Sequence, residues 1–543
     1  MIKTSIYWLW TGAQGLRTAI LLNSVVGMLR VCASLLFVWV CKQLIDIASR
    51  ATDNGMRYYT VLLIAIVIIE LALLLWSNYL ENKNNIRLKN KLRQQLFTGV
   101  MLSTWSGKER FHSGDVLNRL EEDVRLCTET VCKSLPSMAV AGFQLLAAFF
   151  FLNHLDSRLS WAVLAIMPLF LLISKVYIKR MHHLTKEIRS SDSRIQAHMQ
   201  EKIQHKTLIQ TLGQNRAVVN RLAIFQAALY RQVMRQTSFT LFSRTLVMTG
   251  FATGYVVAFL WGVEGISTGT ISFGVMAAFL QLVGQVQRPI VDMGSRLPAL
   301  VNALASAERL EELNSLQLEK QGESIILNGA VGIRFDAVSF AYPDGDREIV
   351  KGFSYNFVPG SRTAIVGETG VGKSTLIRLM LALLYPQKGK IDLYNEKQTI
   401  ETCPLTRCNM VYVPQGNTLL SGTIRDNLLM GNPNATEEEL ANVLTTAVAG
   451  FVYDFPEGLD TLCGEGGAGL SEGQAQRIGI ARGLLRPGSI LLLDEFSSSL
   501  DSPTERLLME RLLSQTKDKT LIFITHRERV AKYCERVIRI RSF

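Results

Sequence analysis

The sequence predicts a multidomain chain: an all-α domain of six membrane-crossing helices, then an α/β domain. Three observations predict it. The 543 residues are 48% hydrophobic and only 19% charged, with a mean hydropathy of +0.19. The long apolar runs and all the basic excess lie in the first part: residues 1–320 hold 34 Lys+Arg against 20 Asp+Glu, and residues 321–543 hold 24 against 26. The second part has short buried strands, and one of them runs into a glycine loop that ends in Lys-Ser. Length alone suggests ~3 domains as a soft prior. The composition excludes a disordered chain and argues against an ordinary soluble enzyme. The basic excess comes with no nucleic-acid reader motif, so no nucleic-acid partner is expected.

Six stretches are long and apolar enough to cross a bilayer, at about 19–41, 59–80, 135–154, 159–178, 245–263 and 270–290. The fifth and sixth are rich in Gly and Ala, which suits close helix packing in lipid. Segment 81–134 carries ten Lys/Arg and segment 179–244 twelve, whereas the opposing loops are poor in them. Basic residues stay on the cytoplasmic side, so both termini and both long loops are expected there. These loops are dense in helix formers and should extend the spans ~20–40 Å beyond the bilayer. They are expected to turn back at Ser113-Gly114-Asp115 and near Gly213-Gln214-Asn215. Arg30 and Glu70 fall near the middle of the first two spans, at matching depth across their antiparallel turn, which predicts an ion pair. A lone charge there costs ~2.5–3.5 kcal/mol on insertion scales. Whether the two residues line a substrate path is not legible.

Eight cysteines form no zinc or redox pattern; Cys127/Cys132 and Cys403/Cys408 read as small, partly buried thiols. No cleavable signal is expected between Met1 and Thr18.

In the second part, Gly332–Phe340 alternates as a strand, and Arg362–Val366 reads as a buried one. It leads into Gly367-Glu368-Thr369-Gly370-Val371-Gly372-Lys373-Ser374, then an apolar-periodic helix Thr375–Leu384. This is GxxxxGK[ST] in the strand–loop–helix context of an α/β P-loop NTPase domain. The glycines let backbone N–H groups face phosphate oxygens, Lys373 brings a point charge, and Ser374 can ligate Mg²⁺. A continuous apolar strand, Ser489–Leu493, ends at Asp494-Glu495. Asp494 can hold Mg²⁺, and Glu495 is placed to polarise an attacking water. Between them, Leu470-Ser471-Glu472-Gly473-Gln474 ends a glycine-rich loop and opens a helix, a second anion site. One chain already has its phosphate cradle, so this site should serve another chain's nucleotide.

LSEGQ resembles the signature of ATP-binding cassette (ABC) proteins, and its order among the other motifs matches that family. The resemblance implies roles for further residues. Tyr342 matches the aromatic that stacks on adenine, and Thr375 belongs to the nucleotide-binding loop. Gln415 matches the glutamine that contacts Mg²⁺ and senses the membrane domain. Asp501, in Ser498-Ser-Leu-Asp, resembles the loop that crosses between paired cassettes, and His526 matches the switch histidine near the γ-phosphate. Ser113–Asp123 looks like a coupling-helix region of exporter half-transporters; Ser421–Asn427 and Gly464–Gly467 are also exporter-like. Glu472 departs from the usual glycine, and Gly466 stands where arginine is common. The flanking Ser471 and Gly473 carry the family's phosphate contacts, so function is expected to survive.

These readings give residues 1–310 as the membrane domain, 311–330 as a linker and 331–543 as the nucleotide-binding domain. No peptidase domain before the first span and no regulatory domain after His526 are expected. The function expected is ATP-hydrolysis-driven export of an apolar or amphipathic substrate such as a lipid, drug or peptide. ATP and Mg²⁺ are the cofactors. The partners are the bilayer and a second half-transporter chain; a homodimer is favoured because Glu495 and His526 are both present, and a heterodimer is the alternative. The location expected is a bacterial inner membrane with the nucleotide-binding domain cytoplasmic. The rival readings are an importer of the same architecture and an ATP-gated channel or regulator.

Overall fold

A computed structural model describes residues 11–49, 55–105, 113–155, 180–181, 183–188, 190–342, 348–368, 370–464 and 469–540. The chain divides into two compact units, one of residues 1–100 and 113–315, the other of residues 101–112 and 316–543.

In the first unit, α1 is Arg17–Ser49 and α2 is Met56–Met101. Helical segments α3 (Ser113–Asn118), α4 (Val124–Glu129) and α5 (Leu135–Leu155) follow, joined by π-turns at Arg119–Asp123 and Thr130–Ser134. Next come α6 (Lys206–Thr211), α7 (Asn215–Ser267) and α8 (Phe273–Asn314). Five of the six expected spans fall on these helices; the fourth, at 159–178, lies outside the described residues. Four helices, α1, α2, α7 and Gly114–His154, are long and apolar enough to cross a membrane, and Phe273–Val286 is a shorter apolar helix. With 46 and 53 residues, α2 and α7 are far longer than a span requires. At 1.5 Å per residue they reach about 70 and 80 Å, so each carries a polar extension.

α1 buries Ile20, Val26, Val31, Leu35 and Val38, a helical stripe that packs on α5 and α8. Val31, Leu35 and Val38 meet Ala148 and Leu152 of α5 and Phe279, Leu282 and Val286 of α8 in one apolar cluster. Gly27 lets α1 approach α5: a Cβ there would lie 2.5 Å from Val140. Outside that cluster a polar lock joins the helices. Asp123, fully buried, accepts from Ser306 Oγ at 2.8 Å and from Arg309 at 2.5 Å. Arg119 donates to Glu312 and to the Arg309 carbonyl, both at 2.9 Å.

Two expectations need correction. Ser113-Gly114-Asp115 is the start of a helix, not the turn; the chain has left α2 by Ser103. The second turn stands where expected, with Gly213 at φ 65° directly before α7. Arg30 and Glu70 line one cavity, but among the described residues no ion pair joins them. The cavity supplies the polar surroundings that a direct pair would otherwise have to provide.

Among the described residues the second unit has two larger sheets and one short strand pair. β1 (Gly332–Ala341) and β2 (Glu348–Phe357) pair antiparallel, β3 is Arg362–Gly367, and β4 (Lys388–Tyr394) and β5 (Thr399–Glu401) complete the order β2-β1-β4-β5. β6 is Met410–Val413, and β7 (Gly422–Thr423) and β8 (Leu462–Cys463) form a short pair. β9 (Ile490–Asp494), β10 (Thr520–Thr525) and β11 (Arg536–Ile540) join β3 and β6 in a parallel sheet, β11-β3-β10-β9-β6. Every residue of β9 and β10 is buried, as expected of central parallel strands covered on both faces. The covering helices include α9 (Lys373–Met380), α10 (Ile424–Leu429), α11 (Glu437–Thr446), α12 (Glu472–Leu485) and α13 (Ser502–Gln515).

Residues 101–105 belong to this second unit although they follow α2 in sequence. Ser103 bridges Leu318, and Thr104 N donates to the Gln317 carbonyl at 2.8 Å.

Candidate nucleotide site

Parallel strands deliver their carboxyl ends to one edge of a sheet, which is where open α/β sheets bind ligands. Here β3 ends in the glycine loop, β9 in Asp494-Glu495, β10 just before His526, and β6 two residues before Gln415. Register fixes the levels: Ile524 of β10 pairs with Asp494, and Thr525 with Val366.

Gly370 and Gly372 take φ of 90° and 96°, left-handed values that suit glycine, so the loop curls ahead of α9. Lys373 is buried, and its Nζ donates to the carbonyls of Gly367 and Glu368 at 2.8 Å each. The cation thus spans the mouth of the loop. Ser374 Oγ donates to Asp494 Oδ2 at 3.4 Å, and Tyr412 Oη meets the same oxygen at 3.4 Å. Burial, then the neighbouring Glu495 charge, holds the Asp494 carboxyl above its usual range. Burial and that aspartate push the Tyr412 phenol up to about 12.

Glu495 lies at the centre. Gln415 Nε2 donates to its Oε2 at 2.7 Å, and His526 Nδ1 is 3.5 Å from its Oε1. Its φ is +45°, an uncommon value for a side chain larger than glycine, held by a Glu495 N–H bond to the Ile524 carbonyl at 2.9 Å. Strand pairing therefore supports the twist that aims this carboxylate away from the buried core.

Tyr342 is half-buried beside α9. Its hydroxyl lies 3.2 Å from Thr375 Oγ1 and accepts from Arg378 at 3.1 Å, and its ring meets Phe340 edge to face. Arg378 also stacks over Trp105, 4.7 Å from the ring centroid.

Ser471 N-caps α12: its Oγ accepts from Gln474 N at 3.2 Å, while Gln474 Oε1 accepts from Ser471 N at 2.9 Å. Both contacts stay within the motif, so the structure does not join Ser471, Gly473 and Gln474 to the glycine loop. Gly473 is packed against the Ser499 carbonyl, which a Cβ would meet at 2.9 Å. Asp501 opens α13, and interaction with the Thr504 side chain holds its carboxyl below the usual range. Thr369 and Gly466 lie outside the described residues; Gly367, Glu368 and Val371 sit on the loop as read from the sequence.

Three supporting residues carry little signal in the sequence. Gln476 donates to the Glu495 carbonyl at 3.2 Å, tying α12 to the turn after β9. Arg527 donates to the Ser498 and Leu500 carbonyls and pairs with Glu505, fixing the loop before Asp501. Trp105 sits far from the other motifs in sequence. Gln476 and Arg527 adjoin recognised motifs, which is the only signal they carry.

A phosphate loop, a carboxylate pair and a histidine on one sheet edge, in a chain with membrane-crossing helices, define a membrane-bound ATPase. The profile described as "ABC transporter transmembrane region" matches residues 20–290, and that described as "ABC transporter" matches residues 350–498. The chain belongs to the ABC transporter family, as an ATP-binding ATPase coupled to transmembrane movement of substances. It is 26% identical to an ATP-dependent lipid A-core flippase of Alkalilimnicola ehrlichii, over 92% of this chain and 86% of that protein. It is 28% identical to a fatty acid ABC transporter ATP-binding/permease protein of Mycobacterium bovis, over 84% of this chain and 73% of that one. Its fold matches a bacterial Atm1-family ABC exporter solved with ATP bound, with a TM-score of 0.82, 22% identity, and coverage of 97% and 94% of the two chains.

Proposed function

We propose that this chain is one half of a homodimeric exporter in a bacterial inner membrane, with its termini and nucleotide-binding domain cytoplasmic. The membrane domain is residues 1–310, the linker 311–330 and the cassette 331–543. The observation that carries the reading is Glu495, held between Gln415 and His526 beside the buried Asp494. Glu495 takes a proton from the attacking water, and His526 steadies the γ-phosphate end. Lys373 shifts its donors from the loop carbonyls to phosphate oxygens. Tyr342 stacks on adenine while its hydroxyl stays tethered to α9. Thr369 is assigned to the nucleotide site from its place in the GxxxxGKS motif. Ser471, Gly473, Gln474 and Asp501 act on the nucleotide of the second chain; in this chain Ser471 and Gln474 bond to each other.

The donor set fits Mg²⁺: a hydroxyl and a carboxylate oxygen 3.4 Å apart, with no soft ligand, leave room for phosphates and waters. Ser374, Asp494 and Gln415 would hold it, and bound there it neutralises charge developing on the phosphates.

The relatives named for a lipid A-core and for fatty acids support an amphipathic substrate. The test is ATP-driven accumulation of a fluorescent amphiphile in inverted membrane vesicles. Accumulation lost in Glu495→Gln supports export; uptake into right-side-out cells instead would overturn it.

A further inference from the structure

In the membrane unit an open cavity of about 1010 Å³ lies between α1, α2, α5 and α8. That is the upper end of the size of small-molecule sites, about 300–1,000 Å³. The spans are apolar in composition, yet the wall of this cavity is not. Three basic side chains, Arg30, Lys133 and Arg296, face it together with three acidic ones, Glu70, Glu81 and Asp292. Lys133 and Glu81 satisfy each other at 3.1 Å. Arg30 and Glu70, both half-buried, make no ion pair among the described residues. Neutral polar groups are already engaged around them: Ser77 Oγ donates to Asn23 at 2.8 Å, and Gln285 Nε2 donates to Ser34 Oγ at 3.0 Å. The amide oxygen of Gln285 is buried without a partner, an acceptor awaiting a donor.

Resting on the exporter reading, we propose that this cavity binds a zwitterionic group: an oxyanion on Arg30 and an ammonium on Glu70, both on one molecule. Asp292 is already engaged and Arg296 adds one more cation to the wall, so the opposite charges of Arg30 and Glu70 decide between ligand classes. An anion alone leaves Glu70 unneutralised once water is displaced, and a cation alone leaves Arg30 so. An apolar or sugar-like ligand leaves both, and a desolvated charge without a partner is costly. A dipolar ligand answers both, and its ammonium has a third donor for the Gln285 oxygen. The planar guanidinium of Arg30 suits a carboxylate or phosphate through two parallel hydrogen bonds. Two sources share this chemistry: the headgroup of an amphipathic lipid, and a short peptide with free termini.

The test uses the full-length protein in phosphatidylglycerol discs. One arm measures equilibrium binding of radiolabelled trialanine against its N-acetyl, C-amide and doubly capped forms. The other measures stimulation of ATP hydrolysis by phosphatidylethanolamine against the N-acetylated lipid. The expected result is that at least one dipolar probe acts at about tenfold lower concentration than each single-charge analogue, the discrimination of a well-placed charged contact. Trialanine alone identifies a peptide site, and the lipid alone a headgroup site. Arg30→Gln should erase discrimination against the C-amide while keeping that against the N-acetyl form, and Glu70→Gln should do the reverse. If capped and uncapped ligands act alike, if neither dipolar probe acts, or if both variants weaken all ligands equally, the proposal falls. The wild-type ligand series decides the matter even where a variant fails to fold. ATP-driven dye accumulation in inverted vesicles reads the exporter assignment separately. Dye export without charge discrimination would sink the dipolar site alone, and tight dipolar binding with no ATP-driven movement would sink the export reading instead.

Discussion

Replacing Glu495 with glutamine separates its proposed uptake of a proton from its hydrogen bond to Gln415. The carboxylate accepts from Gln415 at 2.7 Å and stands 3.5 Å from His526. A glutamine keeps the side-chain length and an acceptor for Gln415, and the backbone twist at φ +45° is unaltered. The amide cannot take up a proton. A positioned general base contributes ~10²–10⁴-fold. At about 1.36 kcal/mol per tenfold, the barrier should rise by ~2.7–5.4 kcal/mol. Phosphate release by the protein in lipid discs should fall by at least ~10²-fold while ATP affinity stays near wild type. Glu495→Ala should differ in stability as well, because Gln415 loses its acceptor, a net cost of ~0.5–1.5 kcal/mol. Retention of more than about a tenth of the wild-type rate in Glu495→Gln, short of the loss expected for a base, would refute the assignment.

Lys373→Ala removes a cation and the clamp on the Gly367 and Glu368 carbonyls; ATP affinity, read by titration in detergent, should fall ~10–100-fold, as for a lost charged hydrogen bond worth ~1.5–3 kcal/mol. Gly473→Ala should lower both the melting temperature and the hydrolysis rate, since its Cβ would meet the Ser499 carbonyl at 2.9 Å and overpacking costs ~1–3 kcal/mol. Glu472→Gly, one residue earlier and exposed, should leave the hydrolysis rate within about threefold, the range of an ordinary surface change. Burial pushes the Cys534 thiol up to about 12, so at pH 8 its thiolate fraction is ~10⁻⁴ and iodoacetamide labelling followed by mass spectrometry should find it unmodified in the native protein. The sign follows from the direction of the shift: the reluctance of this thiol to ionise favours the fold below the usual thiol range and is lost as pH climbs towards 12.

What the sequence makes legible is local. A glycine loop between a buried strand and a helix is written in ten consecutive residues, and a span is written in about twenty apolar ones. The order of the motifs along the chain does the rest. Contacts between distant segments leave no such trace. Nothing near Trp105 announces that it stacks on Arg378, and nothing near Asp123 announces Ser306 and Arg309. Arg30 and Glu70 show the opposite failure. Depth along two antiparallel helices matches their place on one cavity, but depth does not give the rotation of each helix. The helical start at Ser113 is not legible, because Gly-Asp reads as a turn wherever packing does not decide otherwise.

Two helices tied together bend less than either alone, and the ties between α3–α4 and α8 are closely spaced. Asp123 and Arg119 hold Ser306, Arg309 and Glu312, less than two turns of α8, through four hydrogen bonds. Over that length neither helix can slide or roll without breaking a bond to a buried charge. Mechanically the segment is a laminated beam rather than a pair of hinged rods. A displacement at one end of such a beam arrives at the other as a rotation of the whole, with little of it spent as flexure along the way.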